Sequence, residues 1–283
     1  MGVEPPVLSP ASLVEAYAIL AEGRHRPLAG GTDLMVQLAA DVVEPPVAII
    51  DLWRLDDLRG IGYDGYDVSI GALTTFADLR HSPVIRARLP ALAEAAATIG
   101  AAQIQNRGTI GGNICNASPA GDSLPVLLAV DALFDLGAAA GERTVPASEF
   151  WSGYRQTALR PDELLLRVRF PVERHRHTRF RKVGTRRAQA ISKVVMALSY
   201  QEDGGVWRNV RLALGSVAPT TIRATQTEGV LEGAAPRETV ADHAAAVLAG
   251  EIQPIDDVRS TAGYRRSVSA RVLHRLLREE GGW

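Results

Sequence analysis

The sequence predicts an α+β chain of two lobes followed by a C-terminal domain, and three observations predict it. The chain has 283 residues, enough for two domains or for one large domain with lobes. Windows with helical apolar spacing are interspersed with windows that alternate like strands, and no internal repeat marks a solenoid or propeller. Beyond Pro171 the stretch from Arg174 to Arg181 alternates charge and carries few apolar residues, so a domain boundary is expected near Pro171, dividing 1–172 from 173–283.

Ser9 and Pro10 read as the N-cap and first turn of a helix whose Leu13, Ala16, Tyr17 and Leu20 share a face. Residues 27–29 read as a short strand running into Gly30 and Gly31, with a helix over 33–40. A buried strand follows over 47–52 and an alternating one over 67–72. Residues 76–80 and 90–99 suit helices, whereas 100–125, dense in Gly, Asn, Ser and Pro, read as loop. A short helix at 124–130 and a strand at 163–170 complete the first domain. Further on, 190–200 and 210–217 read as strands and 239–248 as a helix. Residues 261–279 form an amphipathic helix with Tyr264, Val268, Val272, Leu273, Leu276 and Leu277 on one stripe.

Composition narrows the function classes. Apolar residues make up 46%, ample for a core, and the formal net charge of -1 argues against a nucleic-acid partner. Aromatics, at 5%, are too few for base-stacking platforms. The single cysteine, Cys115, can neither close a disulfide within the chain nor hold an iron–sulfur cluster or structural zinc. The start lacks the pattern of a signal peptide, and no run of roughly 18 apolar residues could span a membrane, so a soluble, cytoplasmic setting is expected.

Two segments can carry chemistry. In Pro27-Leu28-Ala29-Gly30-Gly31-Thr32-Asp33-Leu34 a strand ends, two glycines permit a turn, and a helix begins. Backbone N–H groups at such a turn suit a phosphate, although Gly-Gly after a strand is more often only a turn. It is neither a Walker loop nor the Gly-x-Gly-x-x-Gly fingerprint. In Thr109-Ile110-Gly111-Gly112-Asn113, continuing through Cys115 and Ser118 to Asp122, glycines again admit close approach, and Thr109, Asn113 and Asp122 add polar groups. A diphosphate cofactor with a ribityl chain needs donors on two segments, and the pair fits that need. Both loops are therefore expected to offer backbone amides.

These two segments closely resemble the FAD-binding medium subunit of the molybdenum hydroxylases, the family of xanthine dehydrogenase, carbon monoxide dehydrogenase and the aldehyde oxidoreductases. The likeness runs on through residues 159–165, 180–187, 215–220 and 257–266, almost the whole chain in order. It implies a two-lobed FAD domain of the vanillyl-alcohol-oxidase (PCMH) type, with lobes at about 1–57 and 58–172, then a CO-dehydrogenase-flavoprotein C-terminal domain. It implies FAD contacts from Pro27, Leu28, Ala29, Gly30, Gly31, Thr32, Asp33 and Leu34, and from Thr109, Ile110, Gly111, Gly112 and Asn113. Asp122, Leu165 and Lys182 match later positions near the cofactor, and Ile99 stands where some relatives place an aromatic over the flavin. The resemblance further implies [2Fe-2S] clusters on a small partner chain, a molybdenum cofactor on a large one, and a dimer of heterotrimers. The chain would pass electrons to NAD, oxygen or another acceptor. Ala188, Gln189 and Ala190 are neutral where animal xanthine dehydrogenases are acidic, which implies weak discrimination among acceptors.

Other features favour plain readings. His175 and His177, if on one strand, would share a face but lack a third metal ligand. The basic run from Arg174 to Arg187 reads as a solvated face, a partner contact or a neighbour of the cofactor phosphates, and Cys115 as a small loop or core residue. No catalytic residue for substrate chemistry is expected. Two alternatives remain from other classes: a self-contained flavin oxidase of the same fold, which 283 residues hardly accommodate, and an assembly subunit without flavin, which the intact glycines oppose.

Overall fold

The computed structural model describes residues 5–40, 42–186, 189–235 and 237–281. The N-terminal start and residues 187–188, on which parts of the expectations above fall, lie outside the described residues.

Ser12, not Ser9, caps the first helix. Its side chain accepts from the Glu15 amide, and the Glu15 carboxylate accepts from the Ala11 amide at 2.7 Å, a reciprocal cap that Ser9 and Pro10 cannot make. The first lobe runs β1 (Val7–Leu8), α1 (Leu13–Ala21), β2 (His25–Leu28), α2 (Leu34–Ala39) and β3 (Ala48–Asp51). Its three strands pair in the order β1-β3-β2, all parallel.

The second lobe is longer. β4 (Ile61–Tyr63) and β5 (Asp67–Gly71) lead into α3 (Phe76–His81), α4 (Pro83–Arg88), α5 (Pro90–Thr98), α6 (Ala102–Arg107), α7 (Ile110–Asn116) and α8 (Leu124–Ala129). Then come the hairpin β6 (Leu133–Ala138) and β7 (Gly141–Pro146), α9 (Ala147–Phe150), the small hairpin β8 (Trp151–Gly153) and β9 (Gln156–Thr157), and β10 (Leu164–Pro171). The five-stranded sheet, β4-β5-β10-β6-β7, is antiparallel at every pairing.

The segment 100–125, expected as loop, holds α6 and α7. Two glycines weaken α7 by about 1 kcal/mol each against alanine. It forms because Thr109 caps it, accepting from the Gly112 amide at 3.1 Å, and because Gly111 packs directly on the backbone of Ala72. β10 carries a bulge between Leu165 and Arg167. One extra residue shifts the alternation, so Leu164 and Leu166 enter the first lobe's core while Leu165 and Val168 both enter the second's.

The C-terminal part is β11 (Arg176–Val183), β12 (Val194–Asp203), β13 (Val206–Gly215), β14 (Ile222–Arg223), α10 (Thr225–Leu231), α11 (Glu238–Glu251) and α12 (Ala262–Gly281), the strands pairing antiparallel in sequence order. β12 is buried on both faces. Val194, Met196 and Leu198 pack with Leu248 and Leu273 of the helices, whereas Val195 and Ala197 join the core of the second lobe. All six residues of α8 are buried where the two cores meet. His175 stands in a left-handed turn ahead of β11 rather than on it, so it shares no strand face with His177, whose ring stacks on Tyr200.

Candidate cofactor-binding site

β2 delivers the chain to a turn, Ala29-Gly30-Gly31, whose Gly31 has φ +77 and so occupies the left-handed region that glycine alone enters cheaply. Among the described residues, none accepts from the backbone N–H groups of Gly30, Gly31, Thr32 or Asp33. These donors border a cavity of about 510 Å³ between the two lobes.

The second loop contributes differently. Ile110 donates its amide to Thr74, Gly111 to Ala72, Gly112 to the Thr109 hydroxyl and Asn113 to the Thr109 carbonyl. The expectation that both loops offer free amides is corrected: α7 spends its first-turn N–H groups inside the protein. Its offering is side chains. The Asn113 carbonyl oxygen accepts from Ser123 Oγ at 2.7 Å, which leaves its amide nitrogen as the donor to the cavity.

The residues singled out in the sequence largely converge. All of 27–34 line the cavity, as do Thr109, Gly111, Gly112 and Asn113, and Ile99 and Leu165 supply apolar walls. Ile110, Asp122 and Lys182 do not line it. Ile110 is fully buried in the second lobe's core, one helical turn before Ile114, which is buried there too. Asp122 and Lys182 find each other instead, with Lys182 Nζ 2.5 Å from Asp122 Oδ2 and donating to the Thr98 carbonyl at 3.1 Å. Ser192 Oγ donates to the other Asp122 oxygen. Burial pushes the Asp122 carboxyl up from its ordinary range, and Lys182 opposes that shift.

Some lining residues were not anticipated. Arg155, in the left-handed position of the β8–β9 turn, reaches across to Asn116 Oδ1 at 2.6 Å, and Gln37 Nε2 donates to the same oxygen at 3.2 Å. These contacts join the β8–β9 hairpin, α7 and α2 at the cavity edge. Arg26 also lines it, so cations and the unpaired amides border the same cavity. Asn116 lies within the second glycine-rich segment, but nothing local in the sequence points to Arg155. Cys115 sits at the cavity edge, and burial pushes its thiol up to about 12, so it is no nucleophile at neutral pH. Gln189 adopts φ +49, its carbonyl accepting from Arg186 at 2.7 Å, while Ala188 lies outside the described residues. Among the described residues, no three metal-ligating side chains come together and no helix is long and apolar enough to cross a membrane.

Turn amides with cations for a diphosphate, side-chain donors for hydroxyls and apolar walls for a flat ring make a donor set that fits FAD. Residues 3–173 match the family described as the FAD binding domain in molybdopterin dehydrogenase, and residues 179–280 match the CO dehydrogenase flavoprotein C-terminal domain. The chain belongs to the FAD-binding medium subunits of the molybdenum hydroxylases. This flavoprotein subunit is 34% identical over 275 residues to the carbon monoxide dehydrogenase medium chain of Hydrogenophaga pseudoflava, covering 95% of one and 94% of the other. It is 32% identical over 281 residues to a putative xanthine dehydrogenase FAD-binding subunit of Escherichia coli, covering 96% of each. A solved carbon monoxide dehydrogenase from H. pseudoflava, which lacks the Mo-pyranopterin moiety of its molybdenum cofactor, superposes with a TM-score of 0.93 at 33% identity, over 97% of this chain and 96% of that one. Quinoline 2-oxidoreductase from Pseudomonas putida 86 gives 0.92 at 26% identity, over 98% and 97%. The flavoprotein subunit is thus part of an oxidoreductase, with the FAD-binding domain on this chain.

Proposed function

We propose that this subunit receives electrons from [2Fe-2S] clusters on a small partner chain and delivers them to NAD, oxygen or another small acceptor. The organic substrate reacts at a molybdenum cofactor on a large third chain. The three chains work in the cytoplasm as a dimer of heterotrimers. The observation that carries this reading is a cavity furnished for FAD in a chain with a single cysteine. That chain can hold the flavin but not the clusters that would feed it. Bound FAD supplies the junction between one-electron and two-electron transfer.

The chain's own residues bind and orient. The amides of Gly30 to Asp33, with Arg26 and Arg155 nearby, hold the diphosphate. Thr109 and Asn113 offer side-chain groups to the ribityl hydroxyls, with Gly112 letting α7 come close and Gly111 seating α7 on Ala72 behind them. Ile99 and Leu165 pack on the ring and exclude water from it. Ile110, Asp122 and Lys182 act from behind this wall. We place the domain boundary between 172 and 173, where β10 closes one sheet shortly before β11 opens the next.

The test is on the purified chain. It should carry one FAD, no iron and no molybdenum. Its flavin should be reduced by reduced partner chains and left untouched by purines and aldehydes alone. Bleaching by an organic substrate without partners would replace this reading with the self-contained oxidase, and a folded chain that takes up no FAD would replace it with the assembly subunit.

A further inference from the structure

Two stretches of sequence that the cofactor cavity leaves unused, 215–220 and 257–266, meet inside the molecule. Arg265, in the first turn of α12, is only 5% exposed. Its Nη1 donates to the Ser216 carbonyl and its Nη2 to the Asp257 carboxylate, each at 2.7 Å. Ser216 has φ +65, a conformation that a residue with a Cβ keeps only where its surroundings over-determine it. They do so here. The Ser216 amide donates to Pro119 at 2.7 Å and its hydroxyl to the Ser192 carbonyl at 2.9 Å, while its own carbonyl is held by Arg265.

The connection continues toward the cavity. Ser192 is 1% exposed, and its hydroxyl donates to the Asp122 carboxylate. The other oxygen of Asp122 takes Lys182, and Lys182 donates to the carbonyl of Thr98. The next residue, Ile99, is a wall of the cavity. The bonds from Arg265 to Ser216, from Ser216 to Ser192 and from Ser192 to Asp122 are buried, and those of Lys182 are part-buried. Where such a bond is buried, losing one partner leaves the other unsatisfied and the neighbouring bonds weaken with it.

We propose that Arg265 is a positioning residue for the flavin: by fixing Ser216 and Ser192 it holds the Asp122 carboxylate against Lys182, and Lys182 in turn fixes the Thr98–Ile99 wall. This rests on the cavity being the FAD site. A planar fork is required because two acceptors on different segments must be gripped at once, which one ammonium does poorly. A mere core brace in this position would change the melting temperature and nothing about the flavin. A positioning residue changes the flavin's surroundings as well.

The experiment uses the full chain purified with its FAD. Arg265→Met, Arg265→Lys and Ser192→Ala are compared with the wild type and with Arg266→Met, an exposed neighbour. Visible circular dichroism of the flavin, its reduction midpoint and the FAD Kd are measured beside thermal melting. Arg265→Met and Ser192→Ala should still bind FAD, with an altered flavin spectrum and a Kd raised about tenfold. Arg265→Lys should fall between, and Arg266→Met should match the wild type. If Arg265→Met yields no folded chain, Ser192→Ala carries the test. FAD-loaded variants with wild-type spectrum, midpoint and Kd overturn the proposal and leave the cofactor site standing. A wild-type chain that takes up no FAD overturns the cofactor reading, and this proposal with it.

Discussion

Gly30 rests so closely on the carbonyl oxygen of Arg107 that a Cβ on it would collide with that oxygen. The first loop is thereby braced on the end of α6, and its glycine is required by this contact as well as by any ligand. Gly30→Ala should force the turn away from α6, lower stability by about 1–3 kcal/mol and release FAD. Gly31→Ala faces no such collision, the nearest atom being Met35 Cγ at 3.3 Å, but must hold φ +77 at a cost of about 1–2 kcal/mol. Melting curves and flavin absorbance of both proteins check this. Full FAD content and an unchanged melt for Gly30→Ala would contradict it.

Gly111→Ala should act through stability first. Its Cβ would lie 2.7 Å from both the Cβ and the carbonyl oxygen of Ala72, on the side of α7 turned to the core. FAD content should therefore fall in step with the folded fraction, while the folded fraction binds FAD with the wild-type Kd and excess FAD raises its melting temperature as it does that of the wild type. A raised Kd in the folded variant would mean that the residue meets the ligand directly.

Arg155→Ala should weaken FAD binding by about tenfold without a comparable loss of stability, since Arg155 is exposed and its side chain meets Asn116 and the exposed ring of Tyr154. The wild-type affinity should fall with added salt more steeply than that of the variant. Equal salt dependence in a titration by flavin fluorescence would show that Arg155 does not face the diphosphate.

Glu163 supplies a pH dependence. Hydrogen bonds from Arg143, at 2.6 and 2.7 Å, hold its carboxyl below the ordinary range, and burial opposes them. A depressed folded pKa contributes stability that is present above the unfolded value, about 4.3, and is lost as pH falls through the folded one. Glu163→Gln should remove about 1–2 kcal/mol at pH 7, discounted because Arg143 is 34% exposed, and should flatten the acid limb of the stability profile. An unaltered acid limb in urea melts between pH 3 and 7 would count against it.

Leu127→Ala, at the fully buried centre of α8, should cost about 2–5 kcal/mol. Because α8 packs in the core shared by the second lobe and β12–β13, unfolding should stay a single transition whose midpoint shifts. Two separated transitions would show that the domains melt apart.

What the sequence discloses here depends on whether the cause is local. Turn glycines and apolar stripes are local, so the walls of the cavity and the long α12 could be read directly. The start of α1 could also have been found, since Ser12 and Glu15 spell a capping box, but Ser9 followed by Pro10 gave a competing signal. α7 could not, because its helix is imposed by the backbone of Ala72 on a glycine-rich stretch. β6 is hidden in the sequence because Asp135 sits inside it, a carboxylate held by Arg167 and Arg169 across the sheet. Arg155 and the partnership of Asp122 with Lys182 depend on contacts between distant segments, which no window of sequence contains.

The placement of α8 bears on how the protein is made. Residues 124–129 leave the ribosome well before β12 and β13, which supply part of their cover. During synthesis the nascent first domain must hold this oily helix with one side bare until Gly215 has emerged, at about 5–20 residues per second. A gene fragment ending near residue 172 would make that interval permanent. Its product should clump or be taken up by chaperones, while the same residues translated with their C-terminal continuation stay in solution.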